Sequence, residues 1–165
     1  MNKDGWNISA TPEELAATYP DLDQRVRTLF LNAEDIKMWR LYIHQPYPYW
    51  YKGKIGLLGD AAHPMLPDQS QGFCMAIEDA GALGHIFSDE FRSIWEKDVG
   101  RGLRLYEKVR KDRASRVQAA SARARTDLSE RIGWSSSSDK SGKLTIEEVC
   151  GYDMLAHIRE LVDQQ

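Results

Sequence analysis

Lys54-Ile55-Gly56-Leu57-Leu58-Gly59-Asp60-Ala61-Ala62-His63-Pro64, continued by Pro67-Asp68-Gln69-Ser70-Gln71-Gly72, is the stretch on which the reading of this chain turns. A short apolar run between Gly53 and Gly59 predicts a buried strand over Lys54 to Leu58. It ends in Gly-Asp, which puts a carboxylate at the carboxyl edge of a sheet, where α/β folds bind ligands. Pro64, Pro67 and small polar residues make Gly59 to Gly72 a loop, and that loop delivers a helix N-terminus near Gly72. Free backbone N–H groups and the helix dipole favour an anion or an electron-rich oxygen at such a point. Gly72 lets a flat ligand come close to the backbone, and Asp60 can accept hydrogen bonds from hydroxyls. The pattern suits a ligand with a polyol, a phosphate and a ring.

Outward from this stretch the chain reads as helical. Thr11-Pro12-Glu13-Glu14 is a capping box with proline at the first helical position, and the helix stops before Tyr19-Pro20. Leu22, Val26, Leu29 and Phe30 form an apolar stripe on a second helix that exits at Asn32 to Asp35. Ile36 to Ile43 alternates as an extended segment, and prolines 46 and 48 keep Gln45 to Tyr51 from being a central strand. A helix is predicted from Phe73 to Phe87. A long one follows from Leu103 to about Arg131, with Leu103, Tyr106, Val109, Val117 and Ala120 near one side. Gly133 to Gly142, with four consecutive serines, reads as a linker. Thr145-Ile146-Glu147-Glu148 opens a last helix that Gly151 breaks. The fold class expected is mainly α with a small β component (α+β). It forms one domain: residues 1–52, then the Gly-Asp strand, loop and helices at 53–131, a linker at 132–144 and a C-terminal helix at 145–165.

Composition narrows the function classes. With 165 residues, 42% of them hydrophobic and five tryptophans, the chain can build a core. No apolar run is long enough for a membrane span, residues 1–10 lack a signal-peptide pattern, and two cysteines make no disulfide framework, so a cytoplasmic location is expected. A formal charge of −3 gives no reason to expect nucleic acid. The nine Lys or Arg between Arg101 and Arg125 read as the solvated face of the long helix. Cys74 is expected to be a packed thiol and Glu78 and Asp79 helix-surface or cap residues. No metal site is expected.

Gly59-Asp60-Ala61-Ala62-His63-Pro64, Gln71-Gly72 and Glu78-Asp79-Ala80 together resemble the second flavin motif of the FAD-dependent aromatic hydroxylases, the salicylate-hydroxylase-like monooxygenases. Trp39-Arg40-Leu41-Tyr42 with Trp50, the helix around Leu105-Tyr106-Glu107 to Ser121, and Gly151-Tyr152-Asp153 resemble the family's flanking segments. The form Asp68-Gln69-Ser70-Gln71-Gly72 resembles fungal members acting on polyketides and related aromatics. The resemblance covers nearly the whole chain, and the C-terminal third of a family member. It implies a truncated C-terminal portion of a flavoprotein monooxygenase fold with FAD as cofactor. Gly59, Asp60, Pro67, Gln71 and Gly72 are then the cofactor-binding residues, with Asp60 on the ribityl or pyrophosphate part and Gln71 and Gly72 near the pyrimidine side of the ring. His63 and Asp68 are the catalytic candidates.

The family's Gly-x-Gly-x-x-Gly fingerprint is not among the twelve glycines. Gly100-Arg101-Gly102 comes nearest, and Leu105 stands at the third position. Three functions remain open. One is the FAD-facing half of a monooxygenase that hydroxylates an aromatic substrate when complemented by a nucleotide-binding half. Another is a flavin-free, redox-silent catalyst of cyclisation, isomerisation or dehydration in a biosynthetic pathway. The third is a non-catalytic assembly partner. A homodimer or complementing chain is expected, with Trp39 to Tyr51 and the strand at the contact, because an isolated apolar strand needs cover.

Overall fold

The computed structural model describes residues 8–132 and 143–164. The chain forms two compact units, Met1–Leu41 and Tyr42–Gln165. The expected linker at Gly133 to Gly142 lies outside the described residues.

In the first unit, β1 (Ile8–Ser9) pairs antiparallel with β2 (Lys37–Met38), with Ile8 opposite Met38. Between them, α1 (Pro12–Thr18) carries the expected capping box: Thr11 Oγ1 accepts from Glu14 N–H, and Glu14 accepts from Thr11 N–H. α2 (Gln24–Leu31) is capped by Asp23. Its apolar stripe is not a buried one, for no residue of α2 is fully buried and Leu29 is exposed.

The second unit opens irregularly and then forms a hairpin, β3 (Tyr51–Lys52) with β4 (Ile55–Gly56). Gly53, at φ +61°, makes its turn. The expected buried strand at Lys54 to Leu58 is corrected here. Only Ile55 and Gly56 pair, and Ile55 is 73% exposed, because the hairpin has no further strand beside it among the described residues. Two 3₁₀ turns follow, Gly59–Ala61 and Pro67–Gln69, and they lead into α3 (Gly72–Ile86).

α4 (Arg92–Trp95) is one turn, and α5 (Val99–Ala124), capped by Asp98, is the central helix. It ends seven residues before the expected Arg131; the chain then makes a 3₁₀ turn at Leu128–Glu130 capped by Asp127. α6 (Ile146–Cys150) opens on the predicted Thr145–Glu148 capping box. Gly151 ends it, and Asp153 caps α7 (Met154–Asp163). The fold is mainly α with a small β component, as the sequence led us to expect.

The core is built on α5. Leu105, Tyr106, Val109 and Ala114 pack with Trp50, Ala82, Ile86 and Ile158, and Val117 and Ala120 with Met75, Ile132, Leu144 and Val149. α3 turns Met75, Asp79, Ala82 and Ile86 inward. That inward row holds a carboxylate. Among the described residues, no helix is long and apolar enough to cross a membrane.

Candidate functional site

Gly59 starts the site. Its φ of +57° is the left-handed region, where a side chain is strained, and a Cβ there would sit 3.4 Å from Ala76 Cβ. The turn closes with Ala62 N–H and His63 N–H both donating to Gly59 O at 2.9 Å. Asp60 projects from this turn, exposed, into a cavity of about 510 Å³. Pro67, Ser70 and Gly72 line it with Asp60, and Met65, Leu66, Phe73 and Ala76 supply its apolar wall. Ser70, at φ +54°, is left-handed and turns the chain into α3. Gln71 is the N-cap residue of α3, yet no side chain caps that first turn. Its N–H groups therefore stand ready for an acceptor.

Behind the loop lies a buried polar cluster. Asp79 Oδ2 accepts from Gly59 N–H at 2.9 Å and from His63 Nε2 at 2.6 Å, and Asp79 Oδ1 accepts from Arg110 Nε at 2.9 Å. Arg110 also pairs with Glu78 and donates to Met75 O. Arg113 pairs with Glu78 at 2.7 Å, donates to Val149 O at 2.8 Å and stacks over Tyr152. Burial opposes ionisation of Asp79, but hydrogen bonds from His63, Gly59 and Arg110 outweigh it and hold its carboxyl below the usual range. Glu78 is lowered likewise: burial acts against it, and the Arg113 hydrogen bond and the Arg110 charge prevail. Arg110 is raised, because bonding to Asp79 and the charge of Glu78 overcome desolvation.

The far half of the loop has its own anchor. Gln69 Nε2 donates to Glu130 O at 2.7 Å and to Ala120 O at 3.3 Å, while its Oε1 accepts from Ile132 N–H at 2.8 Å. Gln118 Nε2 donates to Pro64 O at 2.8 Å and His44 O at 3.2 Å.

The structure thus brings Asp60, Pro67 and Gly72 together at the cavity, with Gly59 and Gln71 in the adjoining backbone. His63 is elsewhere: fully buried, its ring on Asp79 and 5.3 Å from the Trp50 ring. Asp68 is largely buried, and its Oδ1 lies 4.0 Å from Arg131 Nη2. Asp79 corrects the expectation of a surface residue. It sits on the inward row of α3, and the spacing of Met75, Asp79, Ala82 and Ile86 was the signal for it. Cys74 is exposed, not packed, since it faces away from that row. Arg110 and Arg113 depart from the solvated basic face, for Arg110 is fully buried among carboxylates. Nothing in the local pattern marked Gln69.

Residues 1–121 match the family model described as FAD binding domain. The chain belongs to that family. Hispidin-3-hydroxylase of Neonothopanus nambi is 36% identical to it over 73% of this chain and 28% of its own length. 6-hydroxynicotinate 3-monooxygenase of Bordetella bronchiseptica is 39% identical over 69% and 29%. The FAD-dependent monooxygenase atnJ of Arthrinium sp is 35% identical over 79% and 31%. The chain therefore spans under a third of the length of these relatives. A solved salicylate hydroxylase substrate complex shares the fold, with a TM-score of 0.72 and 24% identity over 96% of this chain and 39% of that one.

The family's cofactor is FAD. Three features of the cavity fit the flavin and ribityl parts of it: an exposed carboxylate for hydroxyls, an uncapped helix N-terminus for electron-rich oxygens, and an apolar wall with Gly72 for a flat ring. None of the glycines forms the fingerprint that holds the adenosine half.

Proposed function

We propose that this chain is the flavin-facing portion of an FAD-dependent monooxygenase that hydroxylates an aromatic or polyketide-like small molecule. The observation that carries this reading is the cavity shared by Asp60, Pro67 and Gly72 at the uncapped start of α3. FAD, when bound, supplies the chemistry: NAD(P)H and a proton are consumed with O₂, one oxygen atom enters the ring and the other leaves as water. The chain's own residues bind and orient. Asp60 would accept hydrogen bonds from ribityl hydroxyls, and the first N–H groups of α3, from Gly72 onward, would hold an electron-rich edge of the ring. Gln71 lies beside them, and Pro67 and Phe73 line the cavity. Gly59 provides the turn that presents Asp60.

The names of the relatives support an aromatic substrate: one acts on hispidin and one on 6-hydroxynicotinate. Fungal secondary metabolism is supported by hispidin-3-hydroxylase and atnJ. We further propose that a second chain, another copy or a complementing nucleotide-binding half, covers the exposed apolar residues Ile55, Leu58, Phe73 and Ile77.

Equilibrium dialysis of the purified chain against FAD and, separately, riboflavin tests the reading. Saturable retention of flavin absorbance is the expected result. A chain that leaves riboflavin as well as FAD wholly in the dialysate would overturn it and favour the redox-silent alternative, because the ring and ribityl chain are the parts assigned to this cavity.

A further inference from the structure

One carboxylate oxygen closes the turn that presents Asp60. Gly59 N–H and His63 Nε2 come from the two ends of a five-residue segment, and both converge on Asp79 Oδ2. A carboxylate only accepts, so His63 Nε2 carries the proton of that bond. Asp79 cannot swing away to serve one donor at the other's expense. Its second oxygen is held by Arg110 Nε, and Arg110 is itself held by Glu78 and by Met75 O. His63, Asp79 and Arg110 are fully buried, and none of the three lines the cavity. With both ends of the segment tied inward to α3, Asp60 between them points to the cavity side.

We propose that His63, Asp79 and Arg110 are positioning residues: a buried relay from α5 through α3 that sets the direction of the Asp60 carboxylate and thereby the affinity of the cavity for a flavin. The relay does not touch the ligand. Its place in the fold is independent of what the cavity binds, and only the identity of the ligand rests on the proposed function. The relay also accounts for a fully buried histidine within the loop that does not line the cavity. Its Nε2–H reaches Asp79 from the far end of the turn.

The test compares the wild-type chain with His63→Leu, which removes the donor, and His63→Gln, whose amide nitrogen reaches to about the same place as Nε2. Two quantities are read: amide hydrogen exchange along the chain, and the dissociation constant for FAD. In His63→Leu, with helical content retained, protection at residues 59–63 and affinity for FAD are each expected to fall about tenfold or more. His63→Gln is expected to recover both to within about threefold. Should His63→Leu not fold, His63→Phe takes its place. It keeps a ring in the same space without the donor and leaves the Asp79–Arg110 pair intact, and the same local loss is expected. Unchanged protection at 59–63 in the folded variant overturns the proposal. So does a His63→Gln chain no better than His63→Leu, or a loss spread evenly over α3 and α5, which is what a plain contribution to stability produces. A wild-type chain that ignores riboflavin as well as FAD while exchange follows the expected pattern overturns the flavin reading and leaves the relay standing.

Discussion

Arg110 Nε donates to Asp79 Oδ1 over 2.9 Å, and both side chains are fully buried. Removing one partner of a buried pair leaves an uncompensated charge, which costs about 3–5 kcal/mol. Arg110→Ala is expected to cost that much in chemical denaturation. Arg116→Ala removes a half-exposed pair with Glu148 and is expected to cost less than about 1 kcal/mol. Equal losses in the two variants would count against the buried cluster as the keystone of the second unit.

The same cluster makes stability depend on pH in a stated direction. Asp79 and Glu78 have lowered pKa values in the folded chain, so across the acid range the unfolded chain binds more protons. Their contribution is complete above the ordinary carboxylate range and is lost as pH falls through the folded-state values. Denaturation midpoints measured from neutral pH down to about pH 3 should fall more steeply in wild type than in an Asp79→Asn chain. Parallel curves would contradict this.

Gln69 makes three hydrogen bonds from inside the loop, to Ala120 O, Glu130 O and Ile132 N–H. Gln69→Ala leaves these buried groups unpaired at about 1–3 kcal/mol. A drop in Tm and faster exchange at residues 66–70 and 128–132 are the expected readouts, and exchange confined to one of the two segments would refute the link between them.

Gly59 sits at φ +57°. Gly59→Ala forces a Cβ into the left-handed region at a cost of about 1–2 kcal/mol. Gly84, exposed and helical with open space around its Cβ position, is the control: Gly84→Ala should stabilise by up to about 1 kcal/mol. A Gly59→Ala chain as stable as wild type would show that the turn relaxes.

What was legible in the sequence was local. Thr11–Glu14 and Thr145–Glu148 are capping boxes in both readings, because that chemistry is complete within four residues. The loop's cavity residues, Asp60, Pro67 and Gly72, also came from one continuous stretch. The misread residues depend on contacts distant in sequence. Asp79 looks like a surface carboxylate until Arg110, on another helix, is brought against it. Gln69 is an ordinary loop glutamine until α5 and the turn at Leu128–Glu130 supply its partners. The strand failed for a related reason. Lys54 to Leu58 has a strand's composition, but among the described residues only β3 lies beside it to complete a ladder.

The Asp60–Gly72 cavity is proposed to receive a flavin. Its most direct test is amide chemical-shift mapping of the chain with riboflavin, which has the ring and the ribityl chain but no phosphate. Without phosphates it has no charge to draw it to the basic face of α5 around Arg101, Arg104 and Lys108. Saturable shifts gathered at Asp60, Ser70, Gly72 and Phe73 are expected, with their loss in Asp60→Ala at unchanged Tm. No shifts at saturating riboflavin, or shifts that leave those residues untouched, would contradict the proposal.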